Sequence, residues 1–553
     1  MQTRLLLAAA LSLAVAACAD APSDGTAETP TEASASPGAS ALCFGGGTIL
    51  TNRGRVDSVA TQGARIVHAG ESVGDWCPEG AREIDLAGAV MMPGLVDAHA
   101  HLIGIGLREM TLNLEGTASI SELQDRIAAA AAELPEGATL YGRGWIETHW
   151  PEGRFPTAAD LDAVVGDRPV LLERADGHAM VVNTSALTAS GITGQTQSPA
   201  GGAINLDGAG QPTGMLIDNA MALVSDLMPG LDTATKRDAL RRGAELYAAR
   251  GWTGLHNMSV DPANVAILEE LDAAGELPIR VYNSLDTRDL DQVVDTRPDD
   301  KVTTRAIKLY GDGALGSRGA ALLKPYSDEP QNEGLMLLFE DVIPLLREAA
   351  ERGVQVNTHA IGDRANRQVL DWYQRTLPEG SAQQARWRIE HTQIVDPADI
   401  PRYAELGVIP SMQPSHAIGD LHFAPARLGS DRLVGAYAWR SLIDNGAIIA
   451  GGSDAPVEVG DPRIEFHAAT VRTDLKGFSD ADWRREERVQ ADEALKMFTE
   501  WPAYAAFQED DLGTIEVGKL ADFSVFSGGL TDGDAMSAEP VMTVVNGEVV
   551  WER

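Results

Sequence analysis

Cysteine is scarce, with three in a chain of 553 residues. Cys18 sits in an N-terminal leader, so only Cys43 and Cys77 remain to pair with each other in an oxidising compartment. Spacing alone leaves open whether their Cα atoms come close enough. Basic residues are also few: 44 Lys and Arg stand against 81 Asp and Glu, a net charge of −37. So acidic a chain repels polyphosphate at long range, which argues against nucleic acid as a partner. The acidic residues are spread along the sequence, as a solubilising surface requires, and are not gathered in one tail. An apolar run long enough to span a bilayer is missing from the leader, where Leu5 to Ala14 is too short to serve as a mature membrane helix.

That leader has the layout of a targeting segment. Arg4 supplies the positive charge, the apolar run follows, and Val15-Ala16-Ala17-Cys18 resembles a bacterial lipobox. Residues 1–17 then read as a lipoprotein signal peptide, with Cys18 the lipidated new N-terminus. The alternative is an ordinary signal peptide cleaved nearby. Either way the expectation is a protein of the cell envelope, periplasmic or anchored at the outer membrane, touching membrane only through the lipid on Cys18. Residues 18–40, rich in Ala, Ser, Thr, Pro and Glu, read as a disordered tether.

Short β-like runs separated by Gly and polar turns fill residues 41–90, and a similar pattern returns over 511–553, where Asn546-Gly547 is a hairpin signal. The two chain ends are expected to build one small β-sandwich around a domain at 91–510. That central region alternates short apolar strands with helix-length segments, the pattern of an α/β fold with parallel strands. Eight strand candidates fall at 91–102, 252–260, 278–286, 305–313, 354–363, 387–395, 408–416 and 447–457, which predicts a (β/α)8 barrel. The gap between the first two is too long for a loop, so an inserted subdomain is expected at about 115–250, placed to roof the active site.

Polar residues collect where barrel strands end, the face that carries chemistry in this architecture. His99 and His101 in DAHAH are two apart, so on a strand both imidazoles face one side and can grip one metal ion. His359 in NTHAIGD, His391 in RIEHTQ and Asp454 in GGSDAP close three later strands. Each alone reads as a core histidine or a turn aspartate; their joint position points to a divalent metal site. Lys308 in RAIKLYGDG lies inside the fourth strand, where an ammonium is costly. Shielded and uncharged, it can capture carbon dioxide as a carbamate; the alternative is pairing with Asp312 or substrate.

These motifs, with Gly144-Trp145, RPVLLERADGHAMVVN, GALGSRGA and the closing GTIEVGKLADFSVF, make the chain similar to the amidohydrolase superfamily. The branch it resembles is amidohydrolase family 3, which includes N-substituted formamide deformylase-like proteins. The likeness runs from about Leu42 to Val549. It implies a metal-binding barrel flanked by a β-sandwich. It assigns His99, His101, Lys308, His359, His391 and Asp454 as metal ligands, with Lys308 carboxylated in binuclear members and Asp454 also moving protons as the catalytic residue. One or two divalent ions are implied, zinc first, with manganese, iron, cobalt or nickel accepted by the same ligands.

The function this implies is hydrolysis of a non-peptide C–N bond in a small amide, cyclic amide, N-acyl or N-formyl compound. Dipeptidase or N-acyl amino acid hydrolase activity uses the same frame and needs a cation for the substrate carboxylate, for which Arg318 is the candidate. A non-catalytic solute-binding lipoprotein is the reading from another class. His178 in ADGHA and Trp145 are further candidates for the substrate pocket, each with a purely structural alternative. His256 reads as a residue behind the ligands, while His149, His422 and His467 carry no argument. Oligomeric state is not legible.

Overall fold

The computed structural model describes residues 41–553 apart from 52, 72–76, 149, 200, 229, 294–299, 378–381, 481–482 and 532–533. The leader, the tether with Cys18, and His149 lie outside the described residues. All eight strand candidates form one parallel sheet, each strand beside the next: β1 Leu95–Ala100, β2 Trp252–Val260, β3 Arg280–Leu285, β4 Val302–Tyr310, β5 Gln355–Ala360, β6 Arg388–His391, β7 Ile409–Met412 and β8 Ala450–Gly451. Helices alternate with the strands, so the fold is mixed α/β with a TIM-like barrel.

The seam between β8 and β1 is sewn by side chain and strand ends. Asp97 Oδ1 accepts from the backbone N–H groups of His99 at 3.1 Å and Ser453 at 2.9 Å. Its Oδ2 accepts from Ser453 Oγ at 2.5 Å and Tyr247 Oη at 3.0 Å. Asp454 N donates to His99 O at 2.6 Å, and His101 N to Ala455 O at 2.8 Å. The segments that carry His99, His101 and Asp454 are thereby fixed to each other through backbone.

Much of the barrel interior is polar. Asn257 donates to Asn283, Asn283 to Thr304, and Asn357 to Ser284, at 3.1, 3.3 and 3.1 Å. Buried polar groups are costly unless paired, and this ladder joins amides and hydroxyls from strand to strand, leaving Asn357 Oδ1 without a partner.

The inserted subdomain is a six-stranded sheet ordered Gly202–Leu206, Pro212–Asp218, Ala179–Val182, Val170–Arg174, Leu140–Trp145, Leu112–Asn113. Separate apolar clusters cover its two faces. The insertion is tighter than the expected span. Helix Thr233–Ala249 packs on Leu102–Met110 as part of the barrel wall. A Cβ on Gly106 would lie 1.8 Å from Ala239 O, and one on Gly243 2.6 Å from Leu102 O. Only glycine allows this approach, which leaves Thr233–Ala249 as the helix leading into β2.

Both chain ends build the flanking β-sandwich. Strand Val90–Pro93 pairs with Phe523–Phe526 and with Thr48–Thr51 in one six-stranded sheet. The first three residues expected in the barrel, Met91 to Pro93, therefore lie in the sandwich sheet. Leu42–Gly45 lies in a four-stranded sheet, and Phe44 meets Phe523 edge to face at 5.4 Å. Cys43 and Cys77 form a disulfide with Cα atoms 5.9 Å apart. Among the described residues no helix is long and apolar enough to cross a membrane.

Candidate metal centre

The strand ends bring the six residues singled out as ligands together: all but His99 line a cavity of about 530 Å3, and all but His101 are buried. Ligand atoms of His99, His391 and Asp454 all lie within 4.8 Å of one another. Asp454 Oδ1 is 3.0 Å from His101 Nε2 and 3.5 Å from His99 Nε2. The His391 ring centre is 4.7 Å from that of His99 and 4.5 Å from that of His359. Lys308 Nζ is 3.4 Å from His99 Nε2. Asp454 and His391 hold left-handed backbone, φ 64° and 76°, a strained state for non-glycine residues that clusters at functional sites.

Groups behind the imidazoles aim them. His99 Nδ1 donates to Glu390 Oε2 at 2.5 Å, His101 Nδ1 to Met258 O at 3.1 Å, and His391 Nδ1 to Gln413 Oε1 at 2.9 Å. The Gln413 amide is itself oriented by donating to Ser411 O at 3.3 Å. With the ring proton on Nδ1, each histidine leaves the Nε2 lone pair for a cation. His359 Nε2 is buried with no hydrogen-bond partner.

Electrostatics point the same way. Burial first, then neighbouring Lys308 and imidazoles, holds His99 well below the ordinary histidine range. Burial and its histidine neighbours do the same to His391 and His359. Burial works against ionisation of Asp454, but His99, His101 and His416 outweigh it and keep the carboxyl below its usual range. Burial lowers the Lys308 ammonium against the pull of Glu390 and Asp454. Imidazole Nε2 atoms of His99 and His101 beside a carboxylate, with His359 Nε2 buried and without a partner, fit a divalent cation.

Lys308 does not pair with Asp312. That carboxylate accepts instead from the N–H groups of Ile361, Gly362 and Ala321 at 2.9, 2.8 and 2.8 Å. His178 reaches the cavity from the inserted sheet, its Nδ1 2.7 Å from Asp218 Oδ1 and its ring centre 5.5 Å from that of His359.

Two pocket assignments need correction. Trp145 is fully buried, packs on Trp150 and Phe155, and donates its indole N–H to Leu172 O at 2.9 Å. It follows Gly144, which lines the cavity, but its ring turns into the subdomain core. Arg318 lies off the cavity lining, held by Asp328 at 3.0 Å and Glu329 at 3.4 Å. Its neighbours Ala314, Leu315 and Gly316 are the ones that line the cavity.

Sequence reasoning missed the buried pair behind His99. Arg388 and Glu390 are both fully buried, with Nη2 and Oε2 3.0 Å apart. Arg388 also bonds Ala98 O, Ser411 Oγ and His256 Nδ1 at 2.6, 2.8 and 2.7 Å, so His256 does stand behind the ligands. The available signal was the i, i+2 spacing of two charges on a buried strand. His416, at the end of the seventh strand candidate, was also passed over although it lines the cavity.

A TIM-like barrel with this cluster at its strand ends fits a metal-dependent hydrolase. Residues 82–551 match the amidohydrolase family, and the chain belongs to it. It is 34% identical over 487 residues to "Putative amidohydrolase YtcJ" of Bacillus subtilis (strain 168), covering 85% of this chain and 90% of that protein. It is 27% identical over 534 residues to N-substituted formamide deformylase of Arthrobacter pascens, covering 92% and 97%. Among solved structures, an uncharacterized metal-dependent hydrolase from Pyrococcus horikoshii OT3 superposes with a TM-score of 0.73 at 26% identity, covering 90% of this chain and all of that one.

Proposed function

We propose that the enzyme cleaves the non-peptide C–N bond of a small amide, cyclic amide or N-acyl compound, N-substituted formamides foremost. The observation that carries this is the Asp454 carboxylate, buried among imidazoles at the cavity floor with Oδ1 beside His99 and His101. The activity for which the Arthrobacter relative is named, N-substituted formamide deformylation, supports the formamide class.

His99, His101, Asp454, His359 and His391 would hold one or two divalent ions, zinc foremost, with Lys308 carboxylated where two are held. The burial of Lys308, and the lack of any described carboxylate within ion-pair distance of it, supports carboxylation. A bound cation supplies Lewis acidity, which polarises a carbonyl and lowers the pKa of water. Asp454 Oδ2 accepts the proton of the attacking water and returns it to the departing nitrogen, which is too basic to leave as an anion. His178 contacts the substrate from the inserted subdomain, its ring fixed by Asp218.

The charge pairing in the cavity favours a neutral substrate over one bearing a carboxylate. Of its lining acids, Glu115, Glu173 and Asp176 are taken by arginines, and burial holds the Asp420 and Glu458 carboxyls above their usual range. Each lining arginine already faces an acid: Arg108 faces Glu115, Arg143 faces Glu173, and Arg174 faces Glu147 and Asp176. This counts against the dipeptidase reading. The leader sequence, with a disulfide of the kind that persists in oxidising compartments, supports an envelope lipoprotein anchored at Cys18.

The test is turnover of an amide and N-formyl panel, with matched compounds carrying a free carboxylate, by enzyme reconstituted with each metal. Asp454→Asn should lose at least about 100-fold in kcat, the low end for general acid–base catalysis. Near-wild-type turnover by that variant would remove Asp454 as the proton carrier, and activity surviving chelation would remove the metal.

A further inference from the structure

His416 differs from the ligand histidines in the group behind its ring. His99, His101 and His391 each place an acceptor at Nδ1. At His416 the partner is a donor: Gln393 Nε2 lies 3.0 Å from Nδ1. A neutral imidazole whose Nδ1 accepts must carry its proton on Nε2. The ligands thus offer Nε2 lone pairs, and His416 offers an Nε2–H.

That donor is placed for chemistry. Its side chain is 8% exposed, it lines the cavity, and Nε2 is buried without a hydrogen-bond partner. It lies 3.5 Å from Asp454 Oδ2 and 3.9 Å from Glu458 Oε1, and the ring stacks on His391 with centres 5.9 Å apart. An unmatched buried donor is destabilising unless a ligand answers it. Asp454 Oδ1 faces His99 and His101, so His416 stands at the opposite edge of that carboxylate.

We propose that His416 is a catalytic residue, not a metal ligand, whose Nε2–H donates to the substrate's carbonyl oxygen as negative charge builds there. Gln393 is a positioning residue that fixes the tautomer. This rests on the amide-hydrolysis reading above. The donor is pre-aimed at a buried position, where a hydrogen bond to a developing oxyanion lowers the barrier most.

The experiment compares wild type, His416→Phe and His416→Asn, each reconstituted with zinc. An N-alkylformamide serves as the kinetic probe, zinc is counted per chain, and imidazole-15N spectra report the tautomers. The expected result is full zinc content in all three and a kcat loss of about 10²–10³ in His416→Phe, with KM changed far less. His416→Asn, which keeps an N–H donor, should recover part of that loss. The wild-type spectrum should show His416 protonated on Nε2. Zinc lost from His416→Phe would make His416 a ligand and overturn the proposal. So would unchanged kcat, or an Nδ1-protonated ring. If wild type turns over no amide, the functional reading fails on its own, and the zinc count and 15N spectrum still decide the role of Nε2.

Discussion

Replacing Glu390 separates its two tasks. The carboxylate accepts from His99 Nδ1 at 2.5 Å and balances Arg388 in a pair with no solvent exposure. Glu390→Gln keeps shape and an acceptor but loses the charge that makes His99 a better ligand. Losing such an outer partner weakens metal affinity by about 10–100-fold, or about 1.4–2.7 kcal/mol. Glu390→Ala also strands the Arg388 guanidinium, which then keeps only the neutral partners Ala98 O, Ser411 and His256. Breaking a buried pair by removing one member costs about 3–5 kcal/mol of stability. Chelator competition measures the first quantity and denaturant unfolding of metal-free protein the second. The double variant Glu390→Ala, Arg388→Met should regain much of the lost stability without regaining metal affinity. Zinc binding by Glu390→Gln within twofold of wild type, or unfolding of Glu390→Ala at the wild-type midpoint, would refute these two roles of Glu390.

The disulfide spans 34 residues of sequence, so its loss in Cys43→Ser, Cys77→Ser should lower sandwich stability by about 3–4 kcal/mol from loop entropy. Calorimetry should show that loss, with zinc content unchanged. Burial pushes the Asp420 carboxyl up to about 7, against the hydrogen bond from Tyr437. The folded state thus binds its proton more tightly than the unfolded chain. The resulting stability is whole below about pH 4 and is lost as pH rises through about 7. Asp420→Asn should therefore gain stability on wild type between those limits and hold a constant lead above them; a lead that shrinks with rising pH would contradict this.

The sequence alone determined the eight strands, because each is a short apolar run closed by polar residues. It also determined the six ligand candidates, because strand alternation turns His99 and His101 to one side and the others close strands of the same barrel. It marked the two chain ends as one β unit through repeated turn signals. What lay beyond it were facts about partners across space. Trp145 and Arg318 carried the right chemistry in the right motifs, yet which way a side chain turns depends on the neighbours it meets, here five to ten residues on: Trp150 and Phe155 for one, Asp328 for the other. Thr233–Ala249 looked like part of the insertion because its packing on Leu102–Met110 and β2, which assigns it to the barrel wall, is a contact between distant stretches of chain. Tautomers belong entirely to tertiary structure. Glu390, Met258 O and Gln413 decide that three rings present lone pairs, and Gln393 decides that His416 presents a proton, since an imidazole's two nitrogens are distinguished only by what each one meets.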